Sequence, residues 1–418
     1  HVITLGCPKN VVDTESLLGQ FRSNALEIVQ NVEEADVAII NTCGFIEASK
    51  AESINTIIET AQLKSNGSLK KIIVMGCLSQ RYGTDLANEL PEVDRFFGTN
   101  EHEKILSELG SDFKYNLLGE RVLTTPGHYA YLKISEGCNH PCSFCAIPLM
   151  RGKHVSRPME QILDQAKGLA QRGVKELILI AQDSTYYGID LTRKRALPTL
   201  LRKLAEIDGI DWIRLMYAYP AEFPLELLDV MVDNPKICRY IDMPVQHCSD
   251  VVLRSMRRGM TRRGTEELID RIRQKLPEIA LRTTLIVGYP VEQETHFQEL
   301  LEFVEKMRFD RLGVFTYSQE DQTAAESLGD PVPAEEKERR RSLVMELQKG
   351  ISREKNEALV GTVLPVLIDR KEGDVFVGRT ERDAPEVDNE VFITAAEGLE
   401  PGNFYSAKVV DAVEYDLF

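Results

Sequence analysis

The sequence has no long apolar run, no basic leader and no excess of positive charge. Nowhere in its 418 residues does an apolar stretch reach the roughly eighteen residues that a membrane-spanning helix needs. The first residues lack the basic region and apolar core of a signal peptide, so we expect a cytoplasmic protein that contacts no membrane. The formal net charge of −16 disfavours a general nucleic-acid binder and favours a basic partner.

Disulfides are also unexpected, although the chain has eight cysteines. Disulfide frameworks are typical of small secreted chains, whereas this chain is long enough for about three domains. Its hydrophobic content of 43% is ordinary for a globular protein with a proper core. We therefore expect the cysteines to ligate metal in a reducing compartment.

Three cysteines stand close together on one loop. Cys138, Cys142 and Cys145 have the spacing C-x3-C-x2-C and follow an apolar run over 129–134. Three such thiols can converge on one soft metal centre. A four-iron cluster usually takes four cysteine thiolates, so three leave one iron open. An open position indicates a site that binds a reactant, as it does in catalytic zinc sites.

Two other interpretations of this loop compete. The first is a structural zinc ion with His140 or His154 as the fourth ligand, but the second C-x2-C pair of a zinc ribbon is missing nearby. The second is that the cysteines are small buried hydrophobes. Asn139, Pro141 and Ser143 are poor neighbours for a core, so both alternatives are less favoured.

Residues 1–110 alternate short apolar runs with amphipathic stretches, which predicts a doubly wound parallel sheet. Cys7, Cys43 and Cys77 each come just after one of the apolar runs. Open parallel sheets build their sites at the carboxyl ends of the strands. The sequence therefore predicts a second three-thiol site, with core positions for Cys43 and Cys77 as the alternative.

Residues 128–330 contain six strand–helix repeats, which are too few for a complete eight-fold barrel and predict a partial (β/α)6 barrel. Polar residues at the predicted strand ends are candidates for lining a site, although ordinary loop polarity also explains them. These candidates are Gln182, Asp183 and Gln246. Tyr217 and Tyr219 are equally compatible with the barrel core and with a site wall.

The last part of the chain changes period. Residues 331–359 are charged and helical in pattern, and we expect a helical linker with a solvated face. Residues 360–418 alternate with period two in five short stretches, which predicts a small five-stranded β-barrel of the oligonucleotide-binding (OB) shape. This segment has five basic and thirteen acidic residues, a net charge of −8. We expect it to repel RNA and to attract a basic protein.

The C-x3-C-x2-C loop resembles the signature of the radical S-adenosylmethionine (SAM) enzymes. With three N-terminal cysteines and a terminal barrel of the TRAM type, the whole chain is similar to the radical SAM methylthiotransferases. The resemblance implies two 4Fe-4S clusters, one on Cys138, Cys142 and Cys145 that binds SAM and one on the N-terminal cysteines. With SAM implied as cofactor, the strand-end residues Gln182, Asp183 and Gln246 become candidates for lining the SAM site. The resemblance also implies that the clusters carry the chemistry without an acid or base residue.

One branch of that family is the better match. Residues 6–10 (Gly-Cys-Pro-Lys-Asn), 135–140 and 383–388 resemble the branch that modifies an aspartate β-carbon of the twelfth small-subunit ribosomal protein, the RimO type. That branch implies a basic ribosomal protein as substrate, with an external electron donor and sulfur source. The alternatives are the tRNA adenosine branch, the MiaB type, whose terminal barrel is basic, and a non-enzymatic iron–sulfur scaffold.

Other positions carry weaker expectations. The family pattern Gly-Phe-Pro-Gly-Glu-Thr is replaced by 288–293 here, and Val291 tolerates positive φ poorly, so we expect this turn to differ. Lys9 and Arg151 could meet a substrate or SAM carboxylate, although surface charge is the safer interpretation. Cys238 and Cys248 have no partner at ligand spacing and are expected to be structural.

Overall fold

A computed structural model describes residues 1–67, 69–115, 120–394 and 398–418. The chain separates into two compact units, which are described in turn. The first comprises His1–Thr124, Ser135–Asn139 and Cys145–Gly168, and the second comprises Thr125–Ile134, His140–Phe144 and Leu169–Phe418. In the described residues, every helix is too short or too polar to cross a membrane.

The strands are, in chain order, β1 (Val2–Thr4), β2 (Val37–Thr42), β3 (Lys71–Gly76), β4 (Arg95–Phe96), β5 (Tyr129–Lys133), β6 (Ser135–Glu136), β7 (Val155–Ser156), β8 (Glu176–Ile180), β9 (Trp212–Leu215), β10 (Ile237–Asp242), β11 (Ala280–Val287), β12 (Arg311–Thr316), β13 (Val363–Glu372), β14 (Val375–Arg379), β15 (Glu390–Ile393), β16 (Phe404–Lys408) and β17 (Asp416–Leu417). The helices are α1 (Pro8–Ser23), α2 (Glu47–Ser65), α3 (Cys77–Glu89), α4 (His102–Glu108), α5 (Ile147–Arg151), α6 (Met159–Gln171), α7 (Ile189–Thr192), α8 (Leu197–Ala205), α9 (Glu226–Asp233), α10 (Asp250–Ser255), α11 (Arg262–Lys275), α12 (Glu294–Met307) and α13 (Ala334–Glu357).

The first unit is built on a parallel sheet in the order β1-β2-β3-β4. Alternate side chains of β2 and β3 enter two separate hydrophobic clusters, one with Leu17 of α1 and Ile105 of α4, the other with Ile57 of α2. Because strand side chains alternate between faces, these clusters cover the sheet from both sides. The parallel, doubly wound architecture expected from the sequence is confirmed. Strands β6 and β7 pair antiparallel beside it.

The second unit contains a parallel sheet in the order β12-β11-β10-β9-β8-β5, with helices between successive strands. All the residues of β8 and β9 are buried, as expected for parallel strands that are covered on both faces. Six parallel strands within the described residues agree with a partial barrel. Helix α13 packs on it through Val344 and Ile351, and Gln348 donates to the carbonyl of Phe309 at 2.9 Å.

The terminal sheet has the order β16-β13-β14-β15-β17, with antiparallel pairs except for the parallel pair β15–β17. Its core includes Val366, Phe376 and Leu417. The side chains of Asp383 and Asp388, two of its thirteen acidic residues, are buried and ion-paired with arginines of the central barrel. The surface of this sheet is therefore less acidic than the sequence count indicates, although its sign stays negative.

Candidate active site

The three N-terminal cysteines lie at the carboxyl edge of the first sheet. Cys43 directly follows β2, Cys77 follows β3 as the first residue of α3, and Cys7 is the N-cap of α1 shortly after β1. Burial, with a further contribution from the neighbouring thiols of Cys7 and Cys43, raises the pKa of the Cys77 thiol to about 12. Burial likewise raises the pKa of Cys43. These thiols are therefore close neighbours that resist deprotonation until a cation compensates the charge.

Glycine at position 6 permits this approach. Gly6 has a φ of +91°, and a Cβ there would lie 2.7 Å from Cys43 Cβ and 3.0 Å from its Sγ. Any other residue would push the Cys43 loop away and would adopt a left-handed backbone conformation at a cost. The close contact between the loops of Cys7 and Cys43 therefore depends on the missing side chain.

Asn10 ties the three cysteine loops together. Its buried side chain donates through Nδ2 to the carbonyls of Leu5, at 2.7 Å, and Thr42, at 3.1 Å. Its Oδ1 lies 4.0 Å from Cys77 Sγ. One amide thus contacts the segments that carry all three thiols. The sequence offered Asn10 as part of a motif but gave no sign of this role, because each contact is distant along the chain.

Arg151 is buried, so its interpretation as surface charge is wrong. It donates to Asp13 Oδ2 at 2.6 Å, to Asn10 Oδ1 at 2.5 Å and to Glu136 Oε2 at 3.3 Å. Its positive charge opposes the effect of burial on the pKa of the Cys77 thiol. Lys9 is buried as well, 8% exposed, which also contradicts the expected surface position. Arg151 therefore supplies a compensated cation beside the N-terminal thiols.

The first unit also holds two cysteines of the C-x3-C-x2-C loop. The backbone N–H of Cys138 donates to the carbonyl of Gly152 at 3.1 Å, and helix α5 begins two residues after Cys145. A hairpin of β6 and β7 supports this segment. His154, one candidate for a fourth zinc ligand, bonds through Nε2 to the hydroxyl of Ser156 at 2.9 Å.

His140 lies in the part of the loop that belongs to the second unit. Its Nε2 is 2.7 Å from Asp183 Oδ2, and its ring stacks on Tyr219 with centroids 3.7 Å apart and planes 8° apart. Asp183 in turn accepts hydrogen bonds from the backbone and hydroxyl of Thr185. The strand-end carboxylate therefore holds a motif residue in place, and Tyr219 forms a wall against the loop.

Cys142 is contacted by two residues of the central barrel. Arg258 Nη1 lies 3.4 Å from Cys142 Sγ, and the Tyr219 hydroxyl lies 3.9 Å from it. Sequence reasoning did not single out Arg258. Its only signal is an arginine pair on a loop, which is indistinguishable from surface charge.

The remaining strand-end candidates keep their expected places. Gln182 follows β8 by two residues, and Gln246 has a φ of +72° while its backbone pairs with Thr284 and Ile286. A non-glycine residue in this region is strained and is often found at functional sites.

Val291 does not have a positive φ. Among the described residues, the positive φ of this turn belongs to Gly288, at +74°. The carboxylate of Glu292 accepts from the backbone N–H groups of Gly288 and Tyr289, and Gln293 caps α12 in a capping box with His296. The departures from the family pattern are therefore accommodated without a left-handed valine.

The donor set suits iron–sulfur clusters. All eight cysteines are free thiols. No three His, Cys, Asp or Glu side chains in the described part of the chain are grouped to hold one metal ion. Ligands of a four-iron cluster bind different iron atoms, so they stay farther apart than ligands of one ion. The Gly6 cradle, the Asn10 amide and the buried guanidinium of Arg258 all fit thiolate ligands at these positions.

Family models cover most of the chain. The N-terminal residues 1–98 match the uncharacterized protein family UPF0004, residues 132–304 match the radical SAM superfamily, and residues 360–418 match the TRAM domain.

Curated relatives match over nearly their whole length. A "Ribosomal protein uS12 methylthiotransferase RimO" of Cytophaga hutchinsonii is 56% identical over all of this chain and 96% of the relative. Proteins of the same name from Chloroherpeton thalassium and Bacteroides thetaiotaomicron are 54% and 50% identical, each covering all of this chain and 97% of the relative.

Solved structures share the fold at low sequence identity. The radical SAM methyltransferase TsrM of Kitasatospora setae, with cobalamin and a [4Fe-4S] cluster bound, has a TM-score of 0.51 at 14% identity, over 70% of this chain and 64% of TsrM. The cobalamin-dependent SAM radical enzyme OxsB has a TM-score of 0.51 at 15% identity, over 82% of this chain and 56% of OxsB. Both likenesses show the fold alone.

Proposed function

The chain belongs to the RimO family of ribosomal protein uS12 methylthiotransferases, and from that membership we propose that its six motif cysteines hold two separate iron–sulfur clusters. It is a radical SAM enzyme that adds a methylthio group to ribosomal protein uS12. The acceptor that we propose is the β-carbon of an aspartate in that protein.

The two sets of ligands have different tasks in this proposal. Cys138, Cys142 and Cys145 would hold the cluster that binds SAM. Cys7, Cys43 and Cys77 would hold the second cluster, which would supply the sulfur. When bound, these groups supply the radical that removes a substrate hydrogen and the methylthio group that replaces it.

In this mechanism the protein's own residues hold the cysteine loops in place and line the SAM site. Asp183 and Tyr219 fix His140 and so hold the motif loop against the barrel. Asp183, Gln182 and Gln246 line the SAM site in this proposal, because they lie at the strand ends. Asn10 holds the loops of the second set of cysteines. No side chain is assigned as a general acid or base.

The partners follow from the substrate. The terminal sheet keeps an excess of acidic residues, which favours a basic ribosomal protein and disfavours direct binding of nucleic acid. The reaction draws electrons and sulfur from external donors. A ribosomal substrate places the enzyme in the cytoplasm.

We assign 1–110 to the second cluster, 128–330 to the SAM barrel, 331–359 to a helical connection and 360–418 to the TRAM-type barrel.

The single observation that carries the second cluster is the meeting of three distant thiols. Each of the three cysteines follows a different strand. The thiols of Cys7 and Cys43 both raise the pKa of the Cys77 thiol. Two buried cysteines of an ordinary core would not need a glycine cradle or a hydrogen-bonded amide between their loops. Their arrangement supports ligation over a core role.

The test is mass spectrometry after anaerobic reconstitution with iron, sulfide, SAM and a reductant. A peptide from the modified loop of uS12 and unmodified tRNA are offered separately. We expect a methylthio group on the peptide aspartate and none on the tRNA. Cys43→Ala should abolish sulfur insertion but leave reductive cleavage of SAM, whereas Cys248→Ala, a buried cysteine outside both sets, should retain both activities.

Two outcomes would contradict the proposal. Modification of tRNA adenosine instead of the peptide would show that the acidic terminal sheet does not select the partner. Loss of SAM cleavage in Cys43→Ala, with the chain still folded, would contradict the separation of the two clusters.

A further inference from the structure

Arg258 is held rigidly against the C-x3-C-x2-C loop. Its side chain is 5% exposed, and it follows α10 on a loop of the central barrel. Nη1 lies 3.4 Å from Cys142 Sγ, while Nη2 donates to the carbonyl of Pro244 at 2.5 Å. The guanidinium also lies 4.3 Å from the ring centroid of Tyr219, whose hydroxyl donates to the backbone carbonyl of Arg258 at 2.7 Å.

These contacts direct one N–H donor of the positively charged Arg258 side chain at the sulfur of Cys142. An N–H group that points at a thiolate makes a charge-assisted hydrogen bond, which is stronger than a neutral one. In the described part of the chain, Arg258 Nε has no hydrogen-bond acceptor, so the guanidinium keeps a further donor. The cation and its donors therefore belong to the surroundings of the Cys142 sulfur.

A buried cation that donates to a ligand sulfur affects electron transfer to an iron–sulfur cluster. Reduction adds negative charge to the cluster, and a nearby positive charge stabilises that charge. Reduction potentials of such clusters depend on hydrogen bonds to the sulfurs and on burial. The residue that donates to Cys142 is therefore placed to make the cluster easier to reduce.

We propose that Arg258 is a positioning residue that raises the reduction potential of the cluster held by Cys138, Cys142 and Cys145. The inference rests on the proposed assignment of these cysteines as cluster ligands. Arg258 acts through the thiolate of Cys142 and need not touch SAM or the substrate.

The planar fork of arginine explains the residue type. Nη1 and Nη2 bind two acceptors, Cys142 and Pro244, that lie on different loops. A lysine ammonium is a compact charge on a flexible stem and cannot reproduce this bridging geometry. Arg258→Lys should therefore keep the charge but lose part of the effect.

The experiment compares Arg258→Gln and Arg258→Lys with Arg254→Gln, which removes an exposed arginine of the nearby helix α10. Each reconstituted full-length protein is titrated with a reductant, and the SAM-responsive cluster is followed by electron paramagnetic resonance. At a fixed potential we expect the ratio of reduced to oxidised cluster to fall about tenfold in Arg258→Gln. The free energy of one hydrogen bond to a charged group is large enough to change this ratio by about that factor. Arg258→Lys should show a smaller loss, and Arg254→Gln none.

Each outcome decides one question. If the wild type shows no cluster signal that responds to SAM, the proposed function fails. If it does, and Arg258→Gln keeps its iron and the wild-type ratio, the inference about Arg258 is overturned while the proposed function stands. Where melting of the metal-free chain shows that Arg258→Gln does not fold, Arg258→Lys decides, and a wild-type ratio in that variant overturns the inference.

Discussion

Arg379 of the terminal sheet lies 2.9 Å from Glu176 of the central barrel, and both side chains are buried. Arg214 reaches the same carboxylate at 2.7 Å, and Arg379 also bonds Asp369 at 2.6 Å. His128 completes this row of charges at 2.8 Å from Asp369. The terminal sheet and the central barrel are thus joined by compensated charges that neither could bury alone.

Arg379→Met should strongly destabilise the second unit. The substitution leaves Glu176 and Asp369 buried with less compensation, and removal of one partner from a buried ion pair costs about 3–5 kcal/mol. The measurement is the free energy of unfolding in urea. Arg370→Met is the matched control, because Arg370 pairs with Glu372 and Glu390 at the surface, where such pairs are worth at most about 1 kcal/mol. Equal losses in the two variants would contradict this account.

The same charges predict an acid-sensitive second unit. Burial disfavours the Glu176 carboxylate, but Arg379 and Arg214 outweigh burial and lower its pKa, and His128 and Arg379 do the same for Asp369. A carboxyl group whose pKa is lower in the folded than in the unfolded chain stabilises the folded state. This stabilisation is fully present above the pKa of the unfolded chain, about 4, and is lost as the pH falls below it. Arg379→Met should therefore destabilise less at pH 3 than at pH 7. A cost independent of pH, measured by denaturation at both values, would contradict the pairing.

Gly6→Ala should remove the proposed N-terminal cluster and spare the proposed SAM cluster. The new methyl group would lie 2.7 Å from Cys43 Cβ, so the two cysteine loops must separate. Gly67→Ala is the control, because Gly67 also has a positive φ, +83°, but has no neighbour within 4 Å of a new Cβ. Both variants carry similar backbone strain. Iron and sulfide per chain should fall by about half only in Gly6→Ala, since one of the two proposed four-iron clusters would be lost. Equal iron in the two variants would count against the cradle.

Arg151→Met should unfold the first unit more easily and lower its iron content. Without the guanidinium, Asp13 and Glu136 lose their buried partner, at a cost of about 3–5 kcal/mol. Lys153→Met provides the control, because Lys153 is an exposed cation two residues away. Unfolding of the metal-free chain followed by circular dichroism separates the structural effect from loss of the cluster. Similar midpoints for the two variants would restore the interpretation of Arg151 as surface charge.

Local patterns in the sequence were enough to predict the elements and the order of the fold. The apolar run over 129–134 contains β5, and the six strand–helix repeats expected over 128–330 agree with the six parallel strands of the central sheet. Buried parallel strands are continuous apolar runs, so their positions can be seen without knowledge of their neighbours. The cysteine spacings predicted the candidate ligands for a similar reason, because strand ends in a parallel sheet share one edge.

The tertiary structure decided how charged and polar residues are used. Arg151, Arg258 and Arg379 resemble surface arginines in the sequence. Each is nevertheless buried and contacts at least one partner that lies more than a hundred residues away along the chain. The acidic count of the terminal sheet included carboxylates that neutralise arginines of the central barrel. The sequence by itself thus determined the elements, the cysteine sets and the family. Only the tertiary structure could decide which charged residues pair. A charged side chain can be buried only beside a compensating partner, and here that partner lies in a distant part of the sequence.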